Sequence, residues 1–339
     1  MELMQKPPTL ALAPMQDVTN LPFMRVMQQY GGPDYYVTEY FRVHADYTLE
    51  KKILSSITEN ETGRPVFAQL IGQDIEALVR VAQQLQAYPV AGIDLNLGCP
   101  APVVCRKDAG GGLLRKRGHM EHIIAALRDA VAGKFTVKTR VGYSSHEEFP
   151  ELLEIFKRHA IDTLTIHGRT VIERYQTPIH PECIRMAAEQ MHCPVVANGN
   201  VVDAQTGLGA IRRTGAHGLM VGRGAIRNPW IFDQLRAAFT DQPISAPTRA
   251  DLLGYIKNLY HEIARHAEDF DPGKHVQRMK KYMLYIVQGI DEAFEHQIRR
   301  VNTPEKFHDI CREFLDNDEP LPLRPPEKSK LFCGFDALR

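Results

Sequence analysis

The 339-residue sequence predicts an α/β protein: a (β/α)₈ TIM barrel over residues 1–243, followed by a C-terminal all-α helical bundle over residues 244–339 that ends in an irregular tail. Three observations lead there. Eight short β-rich runs alternate with helix-period segments, a count that matches a closed barrel and exceeds what a doubly wound sheet usually uses. Polar or glycine residues follow every run, where barrel strands carry their functional groups. The alternation then stops after Phe239, in the proline-interrupted stretch Thr240-Asp241-Gln242-Pro243-Ile244-Ser245-Ala246-Pro247.

Taken in order, the strands are expected at Thr9–Ala13, Tyr35–Glu39, Val66–Ile71, Gly92–Leu97, Phe135–Arg140, Thr163–His167, Val195–Ala197 and Leu219–Val221. Helix-period segments follow at Leu21–Tyr30, Asp74–Ala87, His119–Val131, Glu147–His159, Pro181–Gln190, Ala204–Thr214 and Pro229–Phe239, with a less regular segment after Glu39. Their exits carry, in turn, Ala13-Pro14-Met15, Glu39, Gln69, Asn96 with Cys99, Lys138 with Arg140, His167 with Arg169, Asn198-Gly199-Asn200 and Gly222-Arg223-Gly224. Beyond the linker, helices are expected at Thr248–Asp269, Gly273–Gly289, Asp291–Val301 and Thr303–Leu315. The first carries one apolar stripe of Leu252, Leu253, Ile256, Leu259, Tyr260 and Ile263.

Composition narrows the function classes. No apolar run approaches the roughly 20 residues needed to cross a bilayer, and the start lacks the features of a secretory or transit peptide, so a cytoplasmic protein is expected. Six scattered cysteines, without a C-x-x-C pair, indicate reduced thiols rather than a zinc site or a disulfide framework. Lys plus Arg equals Asp plus Glu at 41 each, so any nucleic-acid contact must use a local patch. From Pro272 to Arg300 six basic residues (274, 278, 280, 281, 299, 300) face three acids (291, 292, 295), which makes that stretch the candidate.

The exit loops carry the chemistry. Glycines in the loops after the seventh and eighth strands let backbone N–H groups approach an anion, and Arg223 adds a cation, so a phosphate-bearing cofactor is expected there. Lys138, His167 and Gln69 converge over the mouth as donors suited to a heterocycle with carbonyl and ring nitrogens. Flavin fits better than a metal, since no two-His-one-carboxylate set stands at ligand spacing. Asn96-Leu97-Gly98-Cys99-Pro100 places a thiol on an exposed turn, readable as reactive, while Cys105 reads as structural.

Together these motifs resemble the flavin-dependent tRNA-dihydrouridine synthases from end to end. The carrying residues are Leu12-Ala13-Pro14-Met15, Gln69-Leu70-Ile71-Gly72, Asp94 to Pro100, Ala109 to Leu114, Val137-Lys138-Thr139-Arg140, His167-Gly168-Arg169-Thr170, Ala197-Asn198-Gly199-Asn200 and Gly222-Arg223-Gly224. Tyr36 to Val43 and Arg278-Met279-Lys280 are similar to the bacterial C-type branch, which modifies position 16 of the D-loop. The resemblance implies FMN contacts at Pro14, Met15, Gln16, Gln69, Lys138, His167, Asn198, Gly199, Asn200, Gly222 and Arg223, with NADPH as reductant. It implies hydride delivery from FMN to C6 of uracil and proton donation to C5 by Cys99. It further implies that Asn96 and Tyr175 hold the nucleotide, that Arg42, Arg278, Lys280 and Arg300 contact tRNA, and that neither a metal nor a membrane takes part; a monomer is expected. Two departures stand out: Ala101-Pro102-Val103-Val104 lacks the Lys usual after the Cys-Pro, and the region after Tyr175 lacks the Asp-Trp pair common in the family. The rival readings are an FMN enzyme acting on a free pyrimidine, similar to the dihydroorotate dehydrogenases, and a non-catalytic tRNA-binding protein.

Overall fold

The computed structural model describes residues 7–175, 177–267 and 270–332. Cys333, the end of the tail and the end of the first expected C-terminal helix lie outside them. Nine strands form one parallel sheet: β1 Thr9–Leu12, β2 Tyr36–Val37, β3 Phe41–Arg42, β4 Val66–Ile71, β5 Gly92–Leu97, β6 Lys134–Arg140, β7 Thr163–His167, β8 Val195–Asn198 and β9 Gly218–Val221. The order β1-β9-β8-β7-β6-β5-β4-β2, with a parallel bridge from Ala11 to Tyr35, brings the sheet round to its start.

The second expected strand, Tyr35–Glu39, is shortened to Tyr36–Val37, and a further short strand, Phe41–Arg42, follows beyond its expected end; both pair with β4. At the break, the Thr38 hydroxyl accepts the Gln69 backbone N–H at 3.1 Å, taking the place of a ladder carbonyl. Beyond it, the Glu39 carboxylate accepts from the Asp17 N–H.

Helices cover the sheet: α1 Leu21–Gln29, α2 Lys51–Thr58, α3 Ile75–Leu85, α4 Pro102–Cys105, α5 Arg117–Ala130, α6 Phe149–Lys157, α7 Pro181–Gln190, α8 Ala204–Thr214, α9 Arg223–Arg227 and α10 Ile231–Phe239. Three were not expected from the sequence: α2 falls in the stretch after Glu39 read as less regular, and α4 and α9 are short turns in which glycine or proline had indicated loops. The side chains of Asn20, Asp74 and Asp203 cap α1, α3 and α8 by accepting first-turn N–H groups.

Strand periodicity sorts the core into two layers. Ala11, Ala13, Val37, Phe67, Val196 and Met220 fill the lumen, while the alternate residues pack outward under the helices. Apolar side chains fill the lower lumen, and the upper lumen is left to Gln69, Asp94, Asn96 and His167, all at most 7 % exposed.

The C-terminal helices are α11 Arg249–Arg265, α12 Pro272–Ile286, α13 Glu292–Ile298 and α14 Pro304–Leu315. Thr248 and Thr303 cap α11 and α14, and all six residues of the expected α11 stripe are buried. The outer barrel core continues without a break into this bundle. Phe23 stacks on Tyr282, whose hydroxyl donates to the Val18 carbonyl at 2.9 Å, and Lys281 lies 3.7 Å from the Asp17 carboxylate. These contacts seat α12 against the loop after β1. The tail is irregular but tied down: Leu321 N–H donates to Pro247 O, and the Arg227 guanidinium donates to Gln288, Pro322 and Leu323 carbonyls.

Candidate active site

Cys99 is held by a chain of hydrogen bonds that begins inside the barrel. Thr136 donates to Asp94 at 2.5 Å, and the Gln69 amide donates to the same carboxylate at 2.8 Å. Gln69 Oε1 then accepts from Asn96 Nδ2 at 2.8 Å, and Asn96 Oδ1 accepts the backbone N–H groups of Gly98 and Cys99, each at 2.9 Å. An ionised Asp94 carboxylate can only accept, so in that form it fixes which way the Gln69 amide faces, and Gln69 fixes Asn96 in turn. Burial raises the Asp94 pKa, while the bonds from Thr136 and Gln69 and the nearby Lys138 charge oppose that rise.

The glycine run lies directly under this loop. A Cβ on Gly111 would meet Val171 Cγ2 at 2.6 Å and Cys99 O at 2.9 Å, and the Gly111 N–H donates to that same carbonyl. Gly110, at φ +53°, passes so close that its Cβ would sit 3.1 Å from Cys99 Cβ. Cys99 stays half-buried and reachable, whereas Cys105 is buried and its Sγ donates to Cys99 O. Burial pushes the thiols of Cys183, Cys193 and Cys311 up to between about 11 and about 12, so they stay protonated.

Opposite the thiol, positive charge gathers. Burial, helped by the Arg140 charge and opposed by Asp94 and Cys99, lowers the Lys138 pKa to about 8. His167 is held well below the ordinary imidazole range by burial and by the charges of Arg140, Lys138, Arg169 and Arg223, so it is neutral. Its Nδ1 is buried without a partner, as is Nη1 of Arg169, whose pKa burial and Arg223 bring down to about 10. Four cations around one neutral imidazole, with two inward polar atoms unsatisfied, call for an anionic, hydrogen-bonding group at this mouth.

Tyr175 stands at the rim of that cluster. Its ring centroid lies 4.8 Å from the Arg223 guanidinium and 5.3 Å from that of Arg140, and it meets His167 edge-on. Arg140 clamps the two reactive loops together, donating to Gly98 O at 2.8 Å, Thr170 O at 2.8 Å and Arg174 O at 2.9 Å. Sequence reading noted Arg140 and Arg169 at strand exits but gave them no role. Their paired recurrence beside Lys138 and His167 was the available signal.

The remaining expected cofactor residues ring the same mouth. The Met15 N–H donates to Thr19 Oγ1, and Met15 Sδ lies 3.5 Å from where a Gly222 Cβ would stand. Pro14 is half-buried and Gln16 exposed beside it. Asn198 spends its amide N–H on Met220 O at 2.8 Å, which ties β8 to β9. Gly199 and Asn200 both have positive φ, and Asn200 Oδ1 accepts from Arg169. The expected Gly222-Arg223-Gly224 loop is instead the cap and first turn of α9, and Arg223 also donates to Lys330 O of the tail.

The expected RNA contacts separate. Residues two apart on a helix point about 200° apart, so Arg278 and Lys280 cannot share a face. Lys280 donates to Asn302 at 3.1 Å, near Arg300 in the turn before α14, whose own guanidinium donates to His296 O. Arg278 shares its face with Lys281, a residue the sequence reading did not select, beside the β1 loop. Arg42 is exposed on the far side of Cys99, 5.9 Å from the Tyr40 ring centroid. Tyr40 was also missed; its phenol faces the Cys99 sulfur, and burial followed by that sulfur raises its pKa.

His146, His180 and Glu182 do come together, with potential ligand atoms within 4.8 Å of one another, because the loops after β6 and β7 adjoin. The imidazoles stack at 4.1 Å with 12° between planes, so their in-plane lone pairs do not converge, and His180 is already bonded to Glu173 and Glu182.

Comparison with known proteins agrees with this geometry. The family model described as dihydrouridine synthase (Dus) matches residues 11–319. A tRNA-dihydrouridine(16) synthase of Pasteurella multocida is 31% identical, the match covering 83% of this chain and 91% of that one. One from Ralstonia nicotianae is 30% identical over 92% and 94%, and a probable tRNA-dihydrouridine synthase 2 of Bacillus subtilis is 29% identical over 92% and 97%. Among solved structures, histamine dehydrogenase from Rhizobium sp. 4-9 superposes with a TM-score of 0.52 at 13% identity, covering 74% of this chain and 49% of that one, a likeness of fold. With a family match that spans the barrel and most of the helical region, the chain belongs to the dihydrouridine synthase family.

Proposed function

We propose that this chain reduces the C5–C6 bond of a D-loop uridine in tRNA, at position 16, using FMN and NADPH. The observation that carries the proposal is the seating of Cys99 by Asn96 at the same mouth where four cations surround His167. The buried, unpartnered His167 Nδ1 and Arg169 Nη1 fit a flavin phosphate and ring, and they add Arg169 to the expected binding set. When bound there, reduced FMN supplies hydride for C6 of uracil. Pro14, Met15 and Gln16 would hold one side of it, Lys138, His167 and Gln69 would serve its ring, and residues 198–200 with Gly222 and Arg223 would hold its phosphate.

Cys99 keeps a proton on Sγ for C5, where negative charge develops as C6 is reduced. Asn96 acts by fixing this thiol, since its oxygen and one N–H are already spent within the protein. Tyr175, braced by two guanidinium groups, offers its ring edge to the nucleotide. Residues 244–339 act as the RNA-binding unit, through Arg278, Lys280 and Arg300, with Arg42 gripping from the opposite rim. The target base must leave its stack at a cost of a few kcal/mol, which backbone contacts offset. No described helix is long and apolar enough to span a membrane.

The test is a position-by-position map of dihydrouridine in tRNA from cells lacking the gene. Loss at position 16, restored by the wild-type gene but not by Cys99→Ala, is the expected outcome. An unchanged map overturns the proposal.

A further inference from the structure

A second cavity opens beside the thiol, on the side away from the cation cluster. It encloses about 260 Å³ between the β3 exit, the β4 exit and α4, and is lined by Arg42, His44, Gln73, Val103, Val104 and Lys107 among others. Its inner wall is also the wall of the active site: a Cβ on Gly110 would touch Ile71 at 2.9 Å, Val104 at 3.0 Å and Cys99 at 3.1 Å, and Ile71 and Val104 both line the cavity. Val103, at its lip, is one of three large hydrophobic residues left exposed among the described residues, at 46 %. Arg42 and Lys107 are exposed beside it, and the one acid in the lining, Asp74, is engaged in capping α3.

We infer that this cavity receives the nucleotide adjoining the target uridine in the tRNA strand, its base against Val103 and Val104 and its phosphate between Arg42 and Lys107. The inference rests on the proposed activity toward tRNA. An apolar face flanked by cations is the combination that single-stranded nucleic acid demands, since every base has an apolar face and every linkage a negative charge. The volume lies just below the range of about 300–1,000 Å³ typical of pockets for drug-sized ligands, which suits one base and is too small for a dinucleotide cofactor. The common wall with Cys99 places the occupant next to the reacting uracil. It also gives Lys107 a role on the segment where the lysine usual after the Cys-Pro is missing.

The test uses the FMN-loaded full chain with unmodified tRNA and with tRNA made abasic at either neighbour of the target uridine. Val103→Trp, at an exposed position, fills the cavity; it is expected to weaken tRNA binding and raise KM for tRNA about tenfold, the loss of roughly one stacked base. An abasic neighbour should cost the wild type a similar factor and cost Val103→Trp nothing more. Lys107→Ala should reduce the slope of log Kd against log salt by about one phosphate contact. NADPH oxidation without tRNA should be unchanged in both variants. Losses that multiply when variant and abasic tRNA are combined, an unchanged KM for tRNA, or a raised KM for NADPH instead would overturn the inference. Filter-retention affinities read the cavity even if wild-type protein forms no dihydrouridine, so failure of the activity and failure of the subsite give different results.

Discussion

Asn96 Nδ2 donates to Gln69 Oε1 at 2.8 Å across adjacent strands, so the amide placed for the cofactor ring and the amide that holds the Cys99 loop are one unit. Asn96→Ala removes the acceptor for two backbone N–H groups and the donor to Gln69. Each buried group left unsatisfied costs about 1–3 kcal/mol. Thermal unfolding should show a loss of that order. Dihydrouridine formation should fall at least about tenfold while flavin absorbance is retained; a variant with normal turnover would show that the thiol needs no such support.

Cys99→Ala separates cofactor chemistry from proton donation. Purified variant should remain yellow and oxidise NADPH at the wild-type rate, yet form no dihydrouridine, because proton transfer by a positioned group is worth about 10²–10⁴ in rate. Undiminished product, measured on unmodified tRNA, would assign the proton to another group.

Arg140→Lys tests the clamp between the Cys99 loop and the Tyr175 loop. An ammonium cannot reproduce the fixed fork that reaches three carbonyls. Stability should fall by about 1–3 kcal/mol, and KM for tRNA should rise with little change in KM for NADPH. Equal changes in both would point to a general loss of fold.

Lys138 predicts a pH dependence. Its pKa is about 8 in the fold against an ordinary 10.5, so folding favours the neutral amine. The folded state carries its full penalty below pH 8, and the penalty shrinks as pH rises from 8 to 10.5. At pH 7 it amounts to about 3 kcal/mol. In FMN-free protein, Lys138→Met should therefore be the more stable at pH 7, with the difference in Tm closing toward pH 10.5. A constant difference across that range would show that the ammonium is not strained.

Much of this was legible in sequence because barrel strands repeat one grammar. Val66–Ile71, Gly92–Leu97 and Thr163–His167 were found at their observed bounds, which put Gln69, Asn96 and His167 near the strand exits. What stayed hidden depends on three-dimensional direction. Nothing in the order of residues says that Asn96 spends its oxygen on the next turn, or that Arg140 points back at Gly98. Likewise, Thr38 substitutes for a ladder carbonyl, and the strand that propensity alone extends to Glu39 stops at Val37. His146 and His180 meet only because two loops adjoin, and Lys281 replaces Lys280 beside Arg278 because a helix turns by about 100° per residue.

The fastening of α12 to the loop after β1, through Tyr282 on Val18 and Lys281 on Asp17, makes the molecule a fixed caliper. Under the proposed function, one jaw would be the RNA-contacting helix and the other the Cys99 thiol, with packed aromatic rings between them. Reaching a different uridine would then require the helix to be re-seated on the barrel, so that substrate position would be decided by residues that touch neither base nor flavin.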